Sequence, residues 1–138
     1  MALVSKALGG AAARTVAVTL PAAALYLGRA TAPARALISA GVPVAVATDF
    51  NPGTAPTCHL PLAMLLAATL QRMRPAEVLK AVTIEAAKAI GEASAAGSLE
   101  PGKRADFAIV DAPDVSDWIF HFAANRCVGT YVGGRRVG

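Results

Sequence analysis

Apolar positions along this chain follow two rhythms. Thr15-Val16-Ala17-Val18-Thr19-Leu20 and Val42-Pro43-Val44-Ala45-Val46-Ala47-Thr48 are short runs rich in β-branched residues, each closed by a turn-forming or polar residue, so both predict buried strands. Between them Ala34 to Ala40 predicts a helix stopped by Gly41. Residues 15 to 48 therefore read strand, helix, strand, and the two strands are expected as parallel neighbours joined by a right-handed crossover. Pro21 is read as the end of the first strand. Upstream, residues 2 to 13 are Ala-rich and broken near Gly9-Gly10, which suits the end of a helix.

Beyond residue 54 the spacing becomes helical. Leu60 to Met73 is apolar nearly all round, with Thr57 the expected N-cap and Pro61 tolerated inside the first turn. A second helix is expected from Pro75 to a stop at Gly91, with Glu77 near the positive end of its dipole. The pattern then changes. Gly97 to Lys103 is turn-rich, Ala105 to Asp111 predicts a strand, and Thr130 to Val137 predicts a hairpin, so the tail reads as a small antiparallel β element distinct from what precedes it. The expected division is residues 1–94 and 95–138, with no internal repeat.

Composition narrows the class. The 138 residues are 55% hydrophobic, enough to bury a core, and no uninterrupted apolar run reaches the roughly 18 residues of a membrane span. Lys6 and Arg14, followed by an apolar stretch and Ala30-Thr31-Ala32, loosely imitate a signal peptide, but Gly9-Gly10 and Pro21 interrupt that pattern. Cys58 and Cys127 form no metal or redox spacing, so a reduced cytoplasmic protein without a membrane partner is expected. The net charge of +4 comes from 13 basic and 9 acidic residues scattered along the chain, without the clustered basic face of a nucleic-acid binder.

The strand Val42 to Thr48 ends abruptly at Asp49, followed by Phe50-Asn51-Pro52-Gly53-Thr54. It reads as a strand that delivers a carboxylate to a loop, where a rigid scaffold can aim a side chain at a ligand. A purely local turn-capping role for Asp49 is the competing reading.

Three blocks of residues carry a family resemblance: Gly41 to Thr54, then Ala81-Val82-Thr83 with Ala86-Ala87-Lys88-Ala89, then Gly97 to Phe107. Together they resemble the C-terminal third of imidazolonepropionase, and the Thr-Asp-Phe-Asn-Pro-Gly-Thr block is the most specific of them. The resemblance implies an α/β fold: the last two strands and helices of a (β/α)8 amidohydrolase barrel over residues 1–94, and strands of a small composite sandwich over residues 95–138. It also implies metal-dependent hydrolysis of the cyclic amide of 4-imidazolone-5-propanoate to N-formimidoyl-L-glutamate, a step of histidine breakdown. The implied metal is Zn or Fe, which would make a bound water reactive near neutral pH and polarise the carbonyl it attacks.

By the same resemblance Asp49 matches the metal-ligating and proton-moving aspartate, Asn51 and Gly53 match positions that hold the open-chain product, and Thr54 matches one that touches the cyclic substrate. An Asn amide and loop N–H groups suit such a substrate because they donate hydrogen bonds in fixed directions. The family's other metal ligands are histidines on earlier strands, and the chain has only His59, expected as a capping residue, and His121, expected to be structural. Arg74 stands at an N-cap where a hydroxyl would bind a free N–H.

One carboxylate does not assemble a catalytic metal centre, and a complete barrel takes about 250 residues. A fragment, truncated product or degenerate copy is therefore expected, not retaining the metal and inactive by itself. Two alternatives stay open: a non-catalytic binding or assembly module, for which a homo-oligomer would cover the open edges, and a different cyclic-amide amidohydrolase.

Overall fold

The computed structural model describes residues 15–122 and 124–138, so the helix end expected within residues 2–13 lies outside it. Strand β1 (Ala17–Thr19) pairs in parallel with β2 (Val44–Val46), Ala17 opposite Val44 and Thr19 opposite Val46. Both are shorter than the sequence suggests. At β1 the chain turns straight into helix α1 (Pro21–Tyr26), because a proline that ends a strand also suits the first position of a helix. At β2, Pro43 has no N–H to give the ladder, and the last bond beyond the strand runs from Ala47 N–H to Thr19 O at 3.1 Å.

Helix α2 (Ala34–Ser39) completes the crossover and stops at Gly41, whose φ of 78° is left-handed, as its place after the helix requires. Helix α3 (Leu60–Leu70) begins at Leu60 with His59 as its N-cap. Thr57, expected in that role, instead accepts a hydrogen bond from His59 N–H at 3.1 Å. The single helix expected from Pro75 to Gly91 is two: α4 (Pro75–Val82) and α5 (Ile84–Ala89), broken at Thr83 with φ −122° and ψ −97°. The Thr83 hydroxyl returns to Leu79 O at 2.7 Å, a back-bond that bends helices. Gly97 passes so close to this break that a Cβ there would lie 2.9 Å from Ile84 Cα and 2.7 Å from Ala87 Cβ.

Val44 and Val46 lie beneath Ala34, Met64 and Val78 in one apolar core, in which Met64 and Val78 are fully buried. A buried polar contact joins the sheet to the helices: Gln71 Nε2 donates to Thr19 Oγ1 at 2.6 Å, while Gln71 Oε1 has no partner among the described residues.

The tail forms a second sheet in the order β3 (Phe107–Val110), β4 (Cys127–Val132), β5 (Arg135–Arg136), antiparallel throughout. Phe107 faces Tyr131 across the strands and stacks on it, with centroids 4.6 Å apart. Gly133 and Gly134, at φ 56° and 77°, make the two-residue hairpin turn, which needs left-handed backbone at both positions. Between β3 and β4 lies helix α6 (Val115–Phe120), capped by Asp114 Oδ1 accepting from Asp117 N–H at 2.9 Å. The expected antiparallel β element is present, and this helix, for which the sequence pattern gives no expectation, is added to it. Ile119 is buried in the main core, with Val115 and Trp118 against it.

Candidate functional site

The loop after β2 is built around Asn51. Its Nδ2 donates to Asp49 O at 2.6 Å and to Thr54 Oγ1 at 2.8 Å, which accounts for both amide hydrogens. Its Oδ1 accepts from Gly53 N–H at 2.9 Å, Thr54 N–H at 2.8 Å and the Thr54 hydroxyl at 3.1 Å. An Asn51–Ala55 bridge closes the turn, with Asn51 N–H donating to Ala55 O at 3.1 Å and Ala55 N–H to Asn51 O at 3.4 Å. Such local bonds explain why Asn, Gly and Thr occur here: Asn mimics a backbone turn, and a Cβ on Gly53 would touch Asn51 Oδ1 at 3.4 Å.

Asp49 and Arg72 are the two non-glycine residues with left-handed backbone among those described, at φ 56° and 55°. For an aspartate this conformation costs on the order of 1–3 kcal/mol and persists only where its surroundings impose it. The left-handed turn comes directly after β2, at the strand's C-terminal end, with Asp49 half-buried and Phe50 65% exposed. Asp49, Asn51, Gly53 and Thr54 are thus brought into one short turn. The donors of Gly53 and Thr54 are returned to Asn51 in this arrangement.

A recess of about 190 Å³ lies beside the loop, lined by Leu25, Tyr26, Ala55, Pro56, Leu62 and Leu66. Its α1 wall has no clear signal in the sequence, where Pro21 looks like the end of a strand. The two histidines stand apart from this chemistry. His59 caps α3 by position, without a side-chain bond to the helix, and its Nε2 is buried with no partner among the described residues. His121 Nε2 lies 3.7 Å from Asp117 Oδ1, and its ring meets the Phe120 ring edge-on.

Among the described residues no three His, Cys, Asp or Glu side chains come together in a group that could hold a metal ion. A catalytic zinc takes about three protein ligands, so the donors present do not fit one by themselves. Nor is any helix among these residues long and apolar enough to cross a membrane.

The sequence profile of the amidohydrolase family matches residues 3–137. Imidazolonepropionase of Geobacillus kaustophilus (strain HTA426) is 48% identical over 122 residues, which cover 88% of this chain and 29% of that protein. The imidazolonepropionase of Shouchella clausii (strain KSM-K16) is 50% identical over 116 residues, covering 84% of this chain and 26% of that one. The chain thus spans less than a third of the length of these relatives.

A zinc-bound adenosine deaminase from Xanthomonas campestris superposes with a TM-score of 0.78 at 27% identity, covering 88% of this chain and 31% of that chain. A triazine hydrolase variant superposes at 0.75 with 25% identity, covering 86% and 30%. The mixed α/β fold therefore matches amidohydrolase enzymes over part of their chains. The chain belongs to the amidohydrolase family and resembles imidazolonepropionase along part of that enzyme's length.

Proposed function

We propose that this chain is the C-terminal part of a cytoplasmic imidazolonepropionase, with β1 and β2 as the last two strands of a (β/α)8 barrel and the tail returning to a small composite sandwich. The observation that carries the reading is the left-handed Asp49 at the end of β2, in a loop whose sequence matches the family's most specific block. Active sites of such barrels lie at the C-terminal ends of the strands. The apolar residues left uncovered, among them Val18 at 53% and Phe50 at 65% exposure, suit packing against further strands of a barrel.

The proposed reaction opens the ring of 4-imidazolone-5-propanoate. Water's oxygen adds to the ring carbonyl, the C–N bond breaks, and the leaving nitrogen takes up a proton, giving N-formimidoyl-L-glutamate. A carboxylate at Asp49 is suited to accept the water's proton and return it to that nitrogen. Gly53 and Thr54 would face the substrate and product, whose carboxylate would have to displace Asn51 Oδ1 from their N–H groups. In the complete protein Asp49 would be one ligand of a Zn or Fe ion whose other ligands lie outside the described residues. The isolated chain is then expected to be inactive.

The test is to join residues 15–138 to the preceding part of the Geobacillus enzyme and to follow loss of 4-imidazolone-5-propanoate. Activity that falls at least about a hundredfold with Asp49→Ala is expected, since a positioned proton carrier contributes about 10²–10⁴-fold. Full activity in that variant would remove Asp49 from the mechanism.

A further inference from the structure

We propose that the recess between α2, the residues just before it and the end of α3 binds a small monocarboxylate that also carries a neutral hydrogen-bond donor. A 2-hydroxy acid is the simplest such ligand. The recess holds about 420 Å³, within the range of small-molecule sites, and its lining includes Thr31, Arg35, Ser39, Leu70, Gln71 and Arg72. No lining residue belongs to β1, β2 or the Asp49 loop, so the proposal does not depend on the reaction assigned to Asp49.

Two independent observations point to a ligand. Gln71 is 3% exposed and its amide is half used: Nε2 donates to Thr19 Oγ1 at 2.6 Å, while Oε1 is buried with no partner among the described residues. A buried carbonyl oxygen left unpaired is costly, so the recess that Gln71 lines calls for a donor. The second observation is Arg72. Helix α3 ends at Leu70 with Gln71 as its C-cap, and the next residue turns left-handed, at φ 55°. Glycine takes that position freely, whereas arginine is held there in a conformation that its Cβ disfavours. The guanidinium has no hydrogen-bond or ion-pair partner among the described residues, so no contact within the fold accounts for the strain.

Charge then narrows the ligand class. Arg35 lines the same recess, but two bonds tie its guanidinium to Glu77. Among the described residues of the lining, Arg72 is left as the uncompensated charge, which matches a monoanion. A carboxylate suits it because a guanidinium grips both oxygens at once. An ammonium donor would bring a further positive charge beside two guanidiniums, so the group that meets Gln71 Oε1 is a neutral O–H or N–H. Leu70 offers the carbon body of the ligand an apolar contact.

Matched probes test the proposal by NMR on the 138-residue chain. Lactate and propionate differ only in the hydroxyl, and inorganic phosphate is an oxyanion without a carbon body. Saturable shifts of the Gln71 side-chain amide and the Arg72 Nε–H are expected with lactate. Propionate should bind about tenfold more weakly, the usual effect of leaving one buried polar group unpaired. Equal affinities, or phosphate binding as tightly as lactate, would make the recess a general anion site and overturn the proposal. So would the lack of a saturable shift up to about 100 mM lactate, where even a Kd of about 10 mM would show.

Arg72→Gly removes the guanidinium and the backbone strain together. It is expected to keep or raise the melting temperature while weakening lactate at least about tenfold. Unchanged lactate affinity, or a lowered melting temperature that made Arg72 a support of the fold, would overturn the assignment. Calorimetric titration of the joined full-length enzyme gives the same reading where the isolated chain does not fold. There Asp49→Ala is expected to leave lactate affinity unchanged, whatever it does to activity. Loss of lactate binding in that variant would place the carboxylate at the Asp49 loop and overturn the proposal.

Discussion

Arg35 and Glu77, 42 residues apart, meet in a two-pronged ion pair: Nη1 donates to Oε2 at 2.8 Å and Nη2 to Oε1 at 3.0 Å. The pair ties α2 to the first turn of α4. Glu77 Oε2 also accepts Arg74 N–H at 2.7 Å, so the carboxylate supplies from the third helical position the cap that the Arg74 side chain does not.

Replacing Glu77 by Ala is expected to lower stability by about 1 kcal/mol, the usual cost of a lost cap, measured by thermal or urea unfolding. The guanidinium of Arg35, and then the Arg74 N–H, hold the Glu77 carboxyl below its ordinary value of 4.5. A carboxyl lowered on folding stabilises the native state above that ordinary value, and the contribution is lost as pH falls through the lowered one. Wild type and Glu77→Ala should therefore differ most at neutral pH and converge in acid below 4.5; a constant difference across that range would refute the linkage.

The buried Gln71–Thr19 contact gives a second test. Thr19→Val leaves the Gln71 amide with no side-chain partner in the core and should cost about 1–3 kcal/mol. Adding Gln71→Met should recover most of that loss, because removing both polar groups is milder than orphaning one. A double-mutant cycle by urea unfolding measures the coupling, and strict additivity would contradict it.

At the break between α4 and α5, Gly97 leaves no room for a side chain. With φ at 89° and a neighbouring Cβ at 2.7 Å, Gly97→Ala combines backbone strain with overpacking and should destabilise by about 1–3 kcal/mol. Gly102, also left-handed but with open space around it, should tolerate alanine better, and the ranking of the two melting temperatures checks this.

Ile119→Ala probes the link between tail and core. The side chain is 3% exposed among residues of α3 and α4, and its truncation should cost about 2–5 kcal/mol. A loss below about 0.5 kcal/mol, the usual size for a surface change, would mean that the tail does not complete this core.

Much of this was legible because the signals were local. The two strands showed their β-branched runs, Gly41 marked the end of α2, and Gly133-Gly134 marked the hairpin. Asp49, Asn51, Gly53 and Thr54, close together in the sequence, fold into one short turn. What stayed hidden depends on distant partners or on competing local roles. Pro21 suits both the end of a strand and the first position of a helix, and the local pattern does not choose between them. Asp114, three residues before Asp117, is a helix-start signal masked by the turn residues around it. The break at Thr83 depends on a back-bond and on the close pass of Gly97, neither of which follows from spacing. That Asn51 spends both its donors on its own loop required coordinates, since an asparagine in a sequence looks equally free to bind a ligand.

The burial of Ile119 beside Met64 and Val78 also bears on when this core can close during synthesis. Chains leave the ribosome N-terminus first, so the helices that hold Met64 and Val78 exist well before the residue that seals them. Closure of this core therefore waits until residue 119 has been made. A product stopped short of residue 119 would present an unsealed apolar face to chaperones and proteases.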